Sequence, residues 1–136
     1  MMTEDTELVE LRQRRMQELM GADPGPGTAG PIRLGDDSFE AELRKPGVML
    51  VDLWAVWCGP CIRMGPVIEG LAGDYHGQAR VAKLNVDESP YIAARYGVTS
   101  IPTFLIFRDG KLVEELIGAM PRQALESRLR HWLQAA

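Results

Sequence analysis

The stretch Trp54-Ala55-Val56-Trp57-Cys58-Gly59-Pro60-Cys61 decides how this chain is read, because it holds the only two cysteines in the molecule, two residues apart. Ahead of it runs Val48-Met49-Leu50-Val51-Asp52-Leu53-Trp54, apolar and partly β-branched, which reads as a buried strand. Behind it, Ile62, Met64, Val67, Ile68 and Leu71 recur at helical spacing. The cysteine pair therefore sits where a strand ends and a helix begins. The first N–H groups of a helix lack internal partners, and the dipole there favours negative charge. That field would stabilise a thiolate at Cys58.

Working outward, residues 32–34 form a short strand candidate. Asp36-Asp37-Ser38 offers an N-cap to a helix over about residues 38–45, which Pro46-Gly47 ends. The helix that starts at Cys58 should run to about residue 75, with a kink at Pro66. Residues 80–86 read as a strand, and residues 90–96 as a helix closed by Gly97. Residues 103–108 and 111–117 form a hairpin across Asp109-Gly110, a strong turn signal. A last helix covers residues 121–134, with Pro121 near its first position. The order β-α-β-α-β-α-β-β-α implies an α/β fold, a mixed sheet with helices on both faces.

Residues 4–20 lack Gly and Pro and favour helix. They read either as a frayed helix with a solvated charged face or as a segment that docks on the domain or a partner. Residues 21–31 hold seven Gly or Pro in eleven positions and form a linker. Residues 1–30 are thus an N-terminal helical extension, and residues 31–136 one domain.

The chain has 136 residues, 46% of them hydrophobic and 25% charged, as expected of one domain with a real core. Fifteen basic and nineteen acidic residues give a net charge of −4, and nothing in that balance invites nucleic acid. No apolar run is long enough to cross a membrane. Acids at Glu4, Asp5, Glu7 and Glu10, with no apolar core, argue against a secretory signal. Two cysteines cannot build a disulfide framework, so the expected setting is reducing and cytoplasmic. A bridge closing about four residues stabilises by only roughly 2 kcal/mol on chain entropy. A pair this close is better suited to opening and shutting than to stapling.

The chemistry follows from residue type and place. Cys58, at the helix start and nearer solvent, attacks; Cys61, one turn in, resolves the mixed disulfide. A zinc site would need more ligands, and His76 and His131 have no ligand spacing to the pair. Asp52 stands in an otherwise apolar strand, so its carboxyl is costly to ionise and should have a raised pKa. Such a group can accept and return the proton of Cys61. Lys83, in Ala82-Lys83-Leu84-Asn85-Val86, is the other charge in a strand that reads as buried, and is a candidate partner for Asp52. From its neighbours alone, Pro102 reads as an ordinary proline at the start of a strand, and its peptide isomer is not legible.

Together these motifs resemble thioredoxin. They are Val51-Asp52-Leu53-Trp54-Ala55, Trp57-Cys58-Gly59-Pro60-Cys61, Ala82-Lys83-Leu84-Asn85-Val86-Asp87, Ile101-Pro102-Thr103, Asp109-Gly110 and Gly118-Ala119, in family order over about three quarters of the chain. The resemblance implies a thioredoxin fold with a five-stranded mixed sheet, and protein-disulfide reductase activity. It implies Cys58 as nucleophile, Cys61 as resolving thiol, Asp52 as buried proton carrier with Lys83 near it, and a cis Pro102 against the disulfide. It implies a groove for extended substrate segments formed by Trp57, Ile101, Pro102 and Gly118, beside Gly59 and Pro60. The expected partners are disulfide-bearing proteins and a thioredoxin reductase, whose flavin and NADPH belong to that partner; no cofactor or metal is expected here, and the protein should be a monomer.

A thiol with a pKa of about 8.5 is about 3% ionised at pH 7. At about 7, the general value for this family, it is half ionised. Intrinsic nucleophilicity falls over the same shift, so attack gains only about threefold. The low pKa also makes Cys58 a better leaving group when Cys61 attacks it. The family often carries an acid where Val56 stands and a lysine where Ile62 stands, so the rim of this site is more apolar. Relatives with an N-terminal zinc module carry cysteines there, and this chain has none. Two rival readings are a thioredoxin-fold binding module with incidental cysteines and a disulfide-forming oxidant. Complete Trp-Cys-Gly-Pro-Cys with Asp52 and Pro102 argues against the first, and Gly59-Pro60 against the second.

Overall fold

The computed structural model describes Arg12 and residues 29–135. Apart from Arg12, the helix expected over residues 4–20 lies outside the described residues, as does most of the linker. The described elements are β1 (Ile32–Leu34), α1 (Phe39–Leu43), β2 (Val48–Trp54), α2 (Gly59–Asp74), β3 (Ala79–Asn85), α3 (Pro90–Arg95), β4 (Thr103–Arg108), β5 (Lys111–Ile117) and α4 (Arg122–Gln134).

The apolar run of β2 is buried on both faces, as its composition requires of a central strand. The sheet order is β1-β3-β2-β4-β5, with β1, β3 and β2 parallel and β4 and β5 antiparallel to their neighbours. Side chains alternate along a strand, so β2 feeds two cores. Val48 and Leu50 pack with Met64, Ile68 and Leu71 of α2, Leu125 and Leu129 of α4, and Phe104 and Ile106 of β4. Met49, Val51 and Leu53 pack with Phe39 and Leu43 of α1, Ile92 of α3, and Leu105 and Phe107 of β4. In the second core Phe39, Tyr96 and Phe107 meet edge-on or tilted, with ring centroids 5.3 to 6.0 Å apart. Each fully buried Leu, Ile or Phe is worth about 2 kcal/mol relative to exposure.

The Asp109-Gly110 hairpin forms with both residues at positive φ, 51° and 83°, the backbone that matches strand twist in a two-residue turn. Asp109 also anchors the loop before β2. Its Oδ1 accepts from the Gly47 N–H at 2.8 Å, and its own N–H donates to the Gly47 carbonyl at 2.9 Å.

Several boundaries differ from expectation by a residue or two, and those of α1 and β3 have a visible cause. Helix α1 is shorter than residues 38–45, and Ser38 makes no side-chain cap bond; its Oγ accepts from the Gly35 N–H at 3.1 Å instead. At the far end the Arg80 guanidinium donates to the carbonyls of Glu42, Lys45 and Pro46, closing the helix from outside. Strand β3 begins at Ala79, paired with Val48. It stops at Asn85, whose Oδ1 accepts the Asp87 N–H at 2.9 Å and turns the chain. Helix α2 runs from Gly59 to Asp74 with Pro66 inside it.

Candidate active site at the start of α2

Cys58 is the N-cap of α2, in extended backbone with φ −90° and ψ 108°. Its Sγ accepts the Cys61 N–H at 3.2 Å. Its own N–H donates to the Ala55 carbonyl at 3.2 Å, and the Ile62 N–H donates to the Cys58 carbonyl at 3.1 Å. Gly59 and Pro60 fill the first turn, where a missing N–H costs nothing. A sulfur in this place faces unpaired helix donors, so negative charge on it is favoured.

Cys58 and Cys61 are joined in a disulfide, with Cα atoms 5.2 Å apart. Both sulfur-bearing residues are buried, Cys58 at 4% exposure and Cys61 at 2%, against Ala55, Trp54, Val86 and Ile101. The order expected from sequence, Cys58 outermost, holds by a narrow margin.

The Ile101–Pro102 peptide is cis. The Ile101 carbonyl oxygen lies 3.9 Å from Cys58 Sγ, which puts this loop against the disulfide. The Pro102 carbonyl accepts the Gly118 N–H at 2.8 Å, and Gly118 has φ 95°, a backbone region that favours glycine. Pro102 and Gly118 are therefore fixed to each other. Trp57 is exposed, and its indole Nε1 donates to Asp87 Oδ2 at 2.8 Å.

Asp52 shares the strand face of Val48 and Leu50, the face that α2 covers, and is 1% exposed. Neither carboxylate oxygen has a hydrogen-bond partner. Burial pushes its pKa from the ordinary 3.8 up to about 7, and the Lys83 charge pulls weakly the other way. Lys83 lies directly across the parallel ladder from Asp52. The direct pair considered from the sequence is not formed; the Lys83 ammonium sits 4.2 Å from the Trp54 ring centroid. The electron-rich ring face supplies the attraction that a carboxylate would have given, and Asp52 stays unpaired.

The structure thus brings Cys58, Cys61, Ile101, Pro102 and Gly118 together at one end of the sheet, with Asp52 and Lys83 on the α2 face beneath. Sequence reasoning quoted Trp54 and Asp87 without giving them a place in the site. Trp54 seats the Lys83 ammonium, and Asp87 holds the Trp57 indole. A half-buried cation needs a neighbour, and Trp54 was in reach as the last residue of the same strand as Asp52.

A buried disulfide with one sulfur capping a helix, and an orphan acid on the sheet face that this helix covers, is suited to opening and closing a bond by thiol exchange. The thioredoxin family model matches residues 30–131. The chain belongs to the thioredoxin family. It is 55% identical over 95 residues to thioredoxin 2 of Chlorobaculum tepidum, covering 69% of this chain and 87% of that protein. It is 48% identical over 94 residues to a thioredoxin of Staphylococcus epidermidis, covering 69% of this chain and 89% of that one. Among solved structures, a mutant thioredoxin from Halobacterium salinarum superposes with a TM-score of 0.74 at 34% identity, over 85% of this chain and 99% of that one. As a family member the chain is a protein-disulfide oxidoreductase that works by dithiol–disulfide exchange at Cys58 and Cys61, and recharging by a reductase is typical of thioredoxins. Among the described residues no helix is long and apolar enough to cross a membrane.

Proposed function

We propose a division of labour within that exchange. In the reduced protein the Cys58 thiolate attacks one sulfur of a substrate disulfide. The substrate S–S bond breaks, one substrate thiol leaves, and Cys58 is joined to the other sulfur. Cys61 then passes its proton to the Asp52 carboxylate and attacks Cys58 Sγ. The mixed disulfide breaks, the second substrate thiolate departs and takes up a proton, and the Cys58–Cys61 disulfide forms. Two electrons have moved to the substrate. Of the two protons its sulfurs take up, one comes from Cys61 through Asp52 and the other from water, which received the Cys58 proton when the thiolate formed. A thioredoxin reductase returns the electrons, using flavin and NADPH of its own.

The observation that carries this reading is the hydrogen bond from the Cys61 N–H to Cys58 Sγ at the first turn of α2. It favours Cys58 over Cys61 as the thiolate. Asp52 supports the second half, because an acid with a pKa of about 7 can take and return a proton at neutral pH with little driving force lost. Lys83 holds that value down by its charge. Gly59, Pro60, Trp57, Ile101, Pro102 and Gly118 form the surface on which an extended substrate segment lies. The division at residue 30 is supported by the family match, which begins there. Residues 1–30 are an appendage to a monomeric cytoplasmic domain, a setting that the two-cysteine composition favours.

The test is NADPH-coupled reduction of insulin with a thioredoxin reductase. Cys61→Ser should accumulate a covalent adduct with insulin, and Cys58→Ser should form none and show no turnover. Full activity in Cys58→Ser would sink the assignment.

A further inference from the structure

Val56, Trp57 and Ile62 are exposed at 66%, 68% and 53%. One exposed apolar side chain is ordinary on a protein surface. Three of them fall within seven residues and bracket the redox pair as an exposed apolar rim. The backbone carrying them is held: the Cys58 N–H closes the turn onto Ala55, and the Ile62 N–H bonds the Cys58 carbonyl in the first turn of α2. The indole of Trp57 is tethered to Asp87. No residue from Trp54 to Ile62 carries a charge. The first that does is Arg63, whose Nη1 would lie 3.5 Å from a Cβ at Gly59.

A substrate sulfur must come into contact with Cys58 Sγ, which is almost wholly buried. Neighbouring Cα atoms are about 3.8 Å apart, so the residues beside the substrate cysteine are forced onto the rim. A charged side chain there would lose water against Val56 and Ile62. An apolar one would bury surface, at roughly fourfold in binding for each methylene covered. Resting on the reductase reading above, we propose that Val56 and Ile62 are specificity-determining residues. Together with Trp57 they dock an extended substrate segment that bears an apolar side chain next to its disulfide cysteine.

The test measures reduction of three disulfide peptides by the reduced full chain. The peptides differ only in the residue flanking the cysteine: Leu, Glu or Lys. The wild-type protein should reduce the Leu peptide about tenfold faster, in kcat/KM, than either charged peptide. In the Val56→Ser/Ile62→Ser double variant that ratio should fall to within about twofold. Equal rates on all three peptides with the wild-type protein overturn the proposal while leaving the reductase reading standing. So does a ratio unchanged in the double variant. A preference for Glu over both Leu and Lys overturns it in favour of selection by Arg63. A concentration-dependent dimer in sedimentation, lost in the double variant, assigns the rim to a second copy of the chain and overturns it too. Reduction of none of the peptides removes the reductase reading itself.

Discussion

Replacing Asp52 by alanine should make the protein more stable at pH 8 and about 1 kcal/mol less stable at pH 4. The carboxyl is buried, has no hydrogen-bond partner, and titrates at about 7 rather than 3.8. Below 3.8 the acid is protonated in both folded and unfolded chains, and its ionisation adds nothing to either. Between 3.8 and about 7 the unfolded chain gives up a proton that the folded protein keeps. Stability therefore falls as pH rises through that window, and levels off above it. Three units at 1.36 kcal/mol each set the loss at about 4 kcal/mol. Truncation to alanine leaves a small void costing about 1 to 2 kcal/mol, so the net gain at pH 8 is about 2 to 3 kcal/mol. The assay is urea unfolding of the oxidised wild-type and Asp52→Ala proteins from pH 4 to pH 8, with matched m-values. Taking the difference cancels every group the two proteins share. A difference in stability that does not change with pH would mean that Asp52 ionises as if in water, and the reasoning would fail.

Other outcomes follow from the same geometry. Lys83→Met removes the charge that opposes the rise in the Asp52 pKa, so the pH midpoint for resolving the mixed disulfide should move upward from about 7; a midpoint that stays or falls in rapid-mixing kinetics refutes the electrostatic link. Arg80→Ala strips guanidinium donors from the carbonyls of Glu42, Lys45 and Pro46 and from the Glu42 carboxylate. It should cost about 2 to 3 kcal/mol in chemical denaturation and leave insulin turnover within about twofold. Deletion of residues 1–28 should leave melting temperature and turnover intact, whereas deletion through residue 31 should lower the melting temperature, because Ala29 is buried; calorimetry on the two truncations separates these cases.

Much of this was legible in the chain because strong local signals agreed with the global arrangement. The unbroken apolar run of β2, the Asp109-Gly110 turn and the periodicity after Cys61 each set an element within a residue or two. The cysteine pair was legible because spacing and helix start are both written in the sequence. Ends were harder. Ser38 looked like a cap but spends its hydroxyl on Gly35, and the Arg80 clamp on α1 joins residues more than thirty positions apart. Lys83 was the clearest case of a missed partner. Strand pairing put it across from Asp52 as supposed, yet its long side chain reaches the Trp54 ring, a choice set by tertiary packing. The cis peptide before Pro102 was legible through family resemblance alone, since nothing in its neighbours specifies the isomer.

The sulfur of Cys58 does two jobs, and that bears on how inactive controls are built. Serine at position 58 keeps an oxygen able to cap α2, so the helix start survives while the chemistry is lost. Alanine deletes both, and a dead Cys58→Ala protein could owe its silence to a frayed first turn as much as to a missing nucleophile. Comparing the two substitutions side by side separates the role of this atom in architecture from its role in electron traffic.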